Sequence, residues 1–243
     1  RVIGTVITIS HPLGLGAYSR YERTVRQTGK DAWTGYSAVS FVILYNTNVV
    51  TYRELPTGWD SLLEPRWKGR MAVPDPLKSD MAASVLTEAA KNSEKEEFLD
   101  LLAENMQYQM PETFKEVEQG ISDGRYSIGV TSEEAAKAML AAGQDVDYID
   151  PEEGECFFED GTAIRKRTPN LDASEAFVTY TTCDDTKWLL RTQLLRQPAE
   201  DVAAENDRSD EDLKQRYSRQ QEVLNIWKLI MEEKSGSAHE QEQ

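Results

Sequence analysis

Residues 33–50 read WTGYSAVSFVILYNTNVV, and this stretch decides the fold. Its centre, SFVILYN, is a run of β-branched, aromatic and aliphatic residues, which predicts a buried strand. The Asn-rich NTN segment that follows favours a turn and ends the strand. Shorter runs of the same kind predict strands at VIGTVITI, MAV, YSIGV, VDYI and GTAIRK, at residues 2–9, 71–73, 126–130, 146–149 and 161–166.

Helical patterns separate these strands. Near the end of the chain, Val223, Trp227 and Ile230 stand at i, i+4 and i+7, which predicts an amphipathic helix over residues 221–234. The polar residues 235–243 after it are expected to be a disordered tail. The other predicted helices cover residues 79–91, with Ser79 or Asp80 as cap, 94–107, a segment from Pro111, 131–143 with Thr131 as cap, and a segment from about Asp172. Strands separated by helices predict an α/β fold with largely parallel pairing.

Length and charge narrow the classes of function. A chain of 243 residues can form one large domain or two modest ones. The net charge of −16, from 27 basic and 43 acidic residues, disfavours a nucleic-acid partner, because phosphate backbones require a positive surface. A small anion can still bind locally, since oriented backbone N–H groups at helix starts attract it whatever the distant charge.

The residues that usually carry catalysis are scarce. The common phosphate-binding, zinc-protease, paired-cysteine and serine-nucleophile motifs are absent from the sequence, which contains only two histidines. The chain is therefore predicted not to be an enzyme and to need no metal or cofactor; a hydrolase with two carboxylates is the alternative. The clusters Glu152, Glu153, Glu155 and Asp184–Asp185 are candidates for a carboxylate metal site, but charge clusters in so acidic a chain are interpreted as solvated faces. Cys156 and Cys183 are predicted to be free thiols, with a disulfide as the alternative.

Several stretches together resemble a known family. They cover about residues 33–202 and are TGYSAVSFVILYNTNVV, LPTGWDSLLEPRWKGRMAVPDP, YSIGVT with a helix, VDYIDPEEGE, GTAIRKRTPNLDASEAFVTYTT and LLRQPAEDV, in that order. The ordered set resembles the bacterial extracellular solute-binding proteins of ABC importers. The most similar group contains ferric-iron, phosphonate and hexose-phosphate binders.

The resemblance implies an α/β fold of the two-lobed, type II periplasmic-binding-protein kind, with crossing hinge strands. Residues 1–37 and 161–243 would form lobe one, and residues 38–160 would form lobe two. Members of the family carry a much longer segment before the part that resembles WTGYS. The first lobe is therefore expected to be incomplete.

The resemblance also implies where a ligand binds. Family ligands lie in the cleft against helix starts, where backbone N–H groups are free to hold an anion. Ordinary helix capping is the alternative explanation for the same residues, and core or hinge packing is the alternative for the aromatic ones. The implied ligand-binding residues are Trp33, Tyr36 and Ser37 at the first crossing, Ser79, Asp80 and Met81 after PDP, and Thr131, Ser132 and Glu133 after YSIGV.

Two departures from the family pattern bear on the ligand. Asp80 stands where the family more commonly has a glycine, and its carboxylate repels an anion at that helix start. This favours a cationic or zwitterionic ligand. The iron-binding branch carries adjacent tyrosines after the strand that corresponds to YSIGV, whereas this chain has TSEEAA there. A ferric ligand is therefore not expected.

The expected partners are a small-molecule ligand, anionic or zwitterionic, and an ABC permease in the membrane, with no nucleic acid. The expected protein is a monomer located in the periplasm or outside the cell, with a lipoprotein tether as one form. A ligand-sensing module of a signalling system on the same fold is the main alternative.

Overall fold

The structure is a computed structural model that describes the backbone of residues 6–10, 25–26, 34–165, 167–202 and 210–241. The chain divides into two compact units. Unit 1 contains Arg1–Val39 and Phe157–Tyr217, and unit 2 contains Ser40–Cys156 and Ser218–Gln243. The expected lobe bounds differ from this division mainly in the last segment, which groups with unit 2.

The strand predicted from SFVILYN is confirmed as part of β3, Thr34–Asn46. All its residues from Ser37 to Asn46 are buried, as a continuous apolar run requires. The Asn46 side chain ends the strand: its Nδ2 donates to the Ile121 carbonyl at 2.7 Å, and its Oδ1 accepts from the Asn48 N–H at 2.9 Å. This second bond is an Asx turn, which explains why the Asn-rich segment stops the strand.

Unit 2 is built on the second half of β3. The strands β5, Ile128–Ser132, and β6, Val146–Ile149, both pair antiparallel with β3, and only β4, Met71–Ala72, pairs parallel, with β5. The expectation of largely parallel pairing is therefore wrong for the described pairs. The helix between β5 and β6 does make these two strands parallel to each other, but β3 lies between them and runs the opposite way.

The helices of unit 2 begin where side chains cap them. Helix α1 spans Asp80–Asn92, α2 spans Phe98–Asn105, α3 spans Phe114–Ser122 and α4 spans Glu133–Ala141. Three of these bounds correct the sequence predictions. The second helix is shorter at both ends than residues 94–107, the third begins after a capping box of Thr113 and Glu116 rather than at Pro111, and Ser132 rather than Thr131 caps the fourth.

The core of unit 2 lies between α3, α4 and the strands; its fully buried members include Val42, Leu44, Ala72, Val117, Ile121 and Ala136. Gly129 in β5 permits this close packing. A Cβ at that position would lie 2.6 Å from the Ala72 carbonyl oxygen and 2.7 Å from Cγ1 of Val117. Replacement by alanine would therefore push the strand and α3 apart.

Unit 1 is described over fewer residues. The strands β1, Val6–Ser10, and β2, Val25–Arg26, pair antiparallel with β7, Cys156–Arg165. The short strand β8, Gln197–Pro198, pairs antiparallel with the first half of β3. Three helices lie wholly in the described part of the unit: α5, Leu171–Thr181, α6, Asp184–Thr192, and α7, Ala199–Val202. The first residues of the last helix, 210–217, also fall in unit 1.

The last helix, α8, spans Asp210–Gln241. It is longer than the predicted helix, and the expected disordered tail is wrong as far as Gln241. Ser and Gly lower helix stability by about 1 kcal/mol or less each, so a short polar segment does not have to end a helix. The predicted apolar face is confirmed, because Val223, Trp227 and Ile230 are all buried. No helix in the described part of the chain is long and apolar enough to cross a membrane.

Candidate functional site

In unit 1, a buried ion pair lies beside the start of β3. Asp160 in β7 is 5% exposed, and its Oδ2 accepts hydrogen bonds from Ser37 Oγ at 3.2 Å and from Nη2 of Arg196 at 2.5 Å. The pairing of β8 with β3 produces this arrangement. Pro198 lies opposite Ser37, so Arg196, two residues earlier in the chain, comes close enough to bond to Asp160. Arg196 largely neutralises the Asp160 charge, which a buried carboxylate requires.

Tyr36 adjoins this pair and is only half-buried. Burial raises the pKa of its phenol most, the negative charge of Asp160 raises it further, and the positive charge of Arg196 opposes both. The phenol therefore stays protonated at neutral pH and can donate a hydrogen bond. Of the three residues predicted at the first crossing, Tyr36 and Ser37 come together with Asp160 and Arg196, and Trp33 lies outside the described residues.

Sequence reasoning missed both members of the ion pair. Asp160 carried a usable signal, since a charged residue inside an apolar run such as CFFEDGTAI needs a partner. Arg196 lies in the resembling segment LLRQPAEDV, but that segment does not indicate its partner, because Asp160 stands 36 residues earlier and Arg196 reaches it only through the pairing of β8.

In unit 2, the first predicted helix start has the expected cap. The Ser79 hydroxyl accepts from the Ala82 N–H at 3.2 Å, so the prediction of capping there is confirmed. Asp80 is exposed and Met81 is half-buried. Gln220 of α8 donates through Nε2 to the Asp80 carbonyl at 3.4 Å and to Ser84 Oγ at 3.2 Å, so α8 holds the first turn of α1 from one side.

At the second predicted helix start, the side chains of the predicted ligand-binding residues already bond to neighbouring protein groups. Ser132 Oγ accepts from the Ala135 N–H at 3.2 Å. Thr131 belongs to β5, is fully buried and donates to Glu118 Oε1 at 2.6 Å. Glu133 pairs with Nζ of Lys137 at 2.6 Å and accepts a 3.4 Å bond from the Tyr148 hydroxyl. A ligand at this helix start would therefore be held chiefly by backbone N–H groups and Ser132.

The cluster Glu152, Glu153 and Glu155 is not only a solvated face, which corrects the interpretation from the sequence. Glu153 accepts from the Trp59 N–H at its Oε2 and from the Asp60 N–H at its Oε1, both at 2.9 Å. It thereby caps the 3-10 turn Asp60–Leu63. A glycine is required at position 58, because a Cβ there would overlap the Glu153 carboxylate.

Because Glu153 caps this turn, we expect substitution of Glu153 to lower the free energy of unfolding more than substitution of its neighbour Glu152. Glu153→Ala should lower the free energy of unfolding by about 1–3 kcal/mol, because two backbone N–H groups lose their acceptor. Glu152→Ala, one residue away and exposed, should change it by less than about 0.5 kcal/mol. Urea unfolding followed by tryptophan fluorescence measures both; equal effects would show that the two bonds do not matter.

The two cysteines are free, which confirms the thiol prediction over the disulfide. Burial raises the pKa of Cys156, so this thiol is inert. The N–H of Thr186 lowers the pKa of Cys183, which stands at the start of α6. Among the described residues, no group of three or more His, Cys, Asp or Glu side chains could hold a metal ion.

Comparison with known proteins identifies the family. The sequence model of the family described as bacterial extracellular solute-binding protein matches residues 15–221 of this chain. The search of curated protein sequences gives no match. Solved structures with the same fold are found in large number.

Three of these structures illustrate the neighbours that share the fold. Ferric iron-binding protein A from Mannheimia haemolytica, in an open conformation, is 16% identical with a TM-score of 0.70, covering 93% of this chain and 83% of that one. The periplasmic binding protein AfuA from Actinobacillus pleuropneumoniae, with fructose-6-phosphate bound, is 16% identical with a TM-score of 0.64, covering 82% and 68%. A two-component system protein of signal transduction is 20% identical with a TM-score of 0.62, covering 84% and 71%.

These likenesses confirm the α/β fold of the type II periplasmic-binding-protein kind. The family is one of solute-binding proteins rather than enzymes, which confirms the non-enzymatic prediction over the hydrolase. The expected periplasmic or extracellular location agrees with the family. The match over most of its length shows that this chain belongs to the bacterial extracellular solute-binding protein family.

Proposed function

We propose that this chain is the substrate-binding component of an ABC importer and delivers a small anionic or zwitterionic solute to a permease in the membrane. The observation that carries the proposal is the family match over residues 15–221. The protein acts as a monomer, which leaves its surface free to dock on the permease. The units of the chain correspond, in this proposal, to the lobes of the family.

A zwitterion is the ligand class that the described groups favour. The helix starts at Ser79 and Ser132 offer N–H donors of the kind that hold phosphate, phosphonate or carboxylate. Asp80 and Glu133 place carboxylates in the first turns of the same two helices and would repel a dianion. A ligand with one anionic and one cationic group, such as an aminophosphonate, satisfies both. On unit 1, the protonated Tyr36 phenol is the donor that we assign to the ligand.

The first experiment is native mass spectrometry of the protein as purified, because tight binders of this kind retain their solute. We expect an added mass that disappears on denaturation and that identifies an anionic or zwitterionic metabolite. A second arm screens aminophosphonates, organophosphates, amino acids and ferric citrate by thermal shift. A retained ferric ion, or stabilisation by ferric citrate alone, would contradict the proposed ligand class.

Serine substitutions test the helix starts one at a time. For a helix start that touches the ligand, Ser79→Ala or Ser132→Ala should weaken binding by about 1–3 kcal/mol, the size of hydrogen bonds to a charged group. Thr113→Ala is the matched control, since Thr113 caps α3 in the same way and is not assigned to the ligand. Calorimetric titration with the ligand found above measures all three; a loss no larger than that of the control would remove that helix start from the site.

The second candidate function is a sensor that binds a similar ligand and signals to a partner. The structural likeness to a two-component system protein supports it. Reconstitution of the chain with its candidate permease in liposomes separates the two functions. An importer component should raise the ATPase rate of the permease in the presence of ligand, and a sensor should not.

A further inference from the structure

Helix α5 of unit 1 carries an exposed apolar stripe. Ala173, Ala176, Phe177 and Tyr180 stand at i, i+3, i+4 and i+7, the spacing by which a helix normally faces a core. All four are nevertheless exposed, Phe177 by 41% and Tyr180 by 53%. The part of the chain that the structure describes therefore leaves uncovered a face that this spacing would place against another element.

The residues that α5 buries are small and polar. They are Ser174 and Thr181. Their hydroxyls donate to backbone carbonyls of the same segment, Ser174 to Asn170 at 2.8 Å and Thr181 to Val178 at 2.7 Å. The contact of α5 with its surroundings thus uses side chains that satisfy their own hydrogen bonds, and it leaves the larger apolar side chains of the stripe outside.

The next helix, α6, adds further exposed apolar side chains. It packs against α5, and its residues Trp188 and Leu189 are 58% and 36% exposed. An aromatic side chain has about 150–250 Å² of surface, so Phe177, Tyr180 and Trp188 leave roughly 300 Å² in water. The largest apolar patch on a typical soluble protein has this size and often binds a partner. The stripe, Trp188 and Leu189 together make up what we call the α5–α6 face.

Exposed acidic residues border the α5–α6 face. Asp172 stands four residues before Ala176, and Asp184 stands four residues before Trp188, with Asp185 next to it. Residues four apart lie side by side on a helix, so these carboxylates are neighbours of the apolar side chains. The face therefore combines an apolar centre with an acidic border.

The basic residues of α6 are already paired and leave this border negative. Nζ of Lys187 lies 2.7 Å from Glu200 and 3.8 Å from Asp184, and Nη2 of Arg191 lies 2.9 Å from Asp201. A second copy of this chain would bring the same acidic border against itself, which like-charge repulsion opposes. A partner whose apolar side chains are flanked by lysine or arginine fits instead, because its charges oppose those of the border.

We propose that the α5–α6 face is the surface through which this chain docks on its permease, against apolar side chains that lysine or arginine residues flank. The inference rests on the proposed importer function, which supplies the permease as the protein partner. Trp188 and Tyr180 are the anchors of the contact, since aromatic side chains that become buried carry most of the binding energy of an interface. The acidic border orients the approach of the basic partner.

Binding to the candidate permease in lipid nanodiscs, measured by biolayer interferometry, tests this face. Trp188→Ser and Tyr180→Ser should each weaken binding by about tenfold, the size expected for loss of an aromatic anchor. Asp184→Lys combined with Asp185→Lys should weaken it by about tenfold at low salt, because the border then repels the partner. Tyr52→Ser is the matched control, since Tyr52 is 89% exposed and lies outside the face. It should change the affinity by less than about twofold.

Each contrary result has a distinct meaning. Wild type that binds the permease no more tightly than the Trp188→Ser and Tyr180→Ser variants would overturn the docking face and leave the importer function standing. Wild type that does not bind, or that binds empty nanodiscs equally well, would contradict both.

Two measurements on the free protein identify the other occupants of the face. Light scattering that shows a dimer for wild type and a monomer for Trp188→Ser would assign the face to a second copy and overturn the proposal. A fall of more than about 3 °C in the unfolding midpoint of Trp188→Ser would show that residues of this chain cover the face, with the same consequence. We expect a monomer and an unchanged midpoint.

Discussion

Arg196→Met is expected to lower the free energy of unfolding by about 3–5 kcal/mol, one of the two largest effects of a single substitution that we expect in this chain. The substitution leaves the Asp160 carboxylate without its cation, although that side chain is only 6% exposed. Among the described residues, the donor that remains is the Ser37 hydroxyl, a neutral group that cannot balance a buried charge. Guanidinium chloride unfolding of the purified variant measures the loss.

Two further variants complete this experiment: one is a control for the loss of an exposed arginine, and the other tests whether the lost stability can be recovered. Arg191→Met removes a guanidinium from a pair with Asp201 whose side chains are 49% and 38% exposed, so the loss should stay within about 1 kcal/mol. Adding Asp160→Asn to Arg196→Met removes the unbalanced charge and should recover part of the stability. Equal losses for the Arg196 and Arg191 variants would show that burial of Asp160 does not govern the effect.

Trp227→Ala is expected to cost about 3–5 kcal/mol, because it empties a fully buried site of the largest side chain. The neighbouring Ile226 is 46% exposed, and Ile226→Ala should cost no more than about 0.5 kcal/mol. The contrast tests whether α8 stabilises unit 2 through the face predicted from the sequence. Thermal unfolding followed by circular dichroism measures both variants.

Trp227→Phe refines this result. Within the described part of the chain, the indole N–H of Trp227 is buried and has no hydrogen-bond partner. The phenylalanine variant therefore loses volume but no hydrogen bond, and we expect a cost well below that of the alanine variant, about 1–2 kcal/mol. A cost equal to that of Trp227→Ala would mean that the indole N–H has a partner in solution.

Much of the architecture could be predicted because it depends on short-range pattern. The buried core of β3 follows from the run SFVILYN, and the buried face of α8 follows from the spacing of Val223, Trp227 and Ile230. The cap of α1 at Ser79 follows from residue type alone. These features depend on neighbours within one or two turns or on alternation along one strand, and such neighbours are fixed by the sequence itself.

The predictions that proved wrong concern contacts between segments that are far apart in the sequence. Whether β5 and β6 have parallel or antiparallel neighbours depends on which strand lies between them in the sheet. The alternation of strands and helices along the sequence does not predict that β3 takes this place. Ser132 caps α4 in place of the predicted Thr131, because Thr131 continues the pairing of β5 with β3 and donates to Glu118. Glu153, interpreted as part of a solvated face, serves as an acceptor for a turn more than 90 residues earlier.

The sequence by itself determined the α/β class, the principal strand, the docking face of the last helix and, through the ordered set of resembling segments, the solute-binding family. Only the tertiary structure decided that Asp160 and Arg196 form a buried pair beside Tyr36. The physical reason is the range of the interactions. Periodicity and capping act between residues close in sequence, whereas charge pairing depends on strand pairing and helix docking between residues far apart.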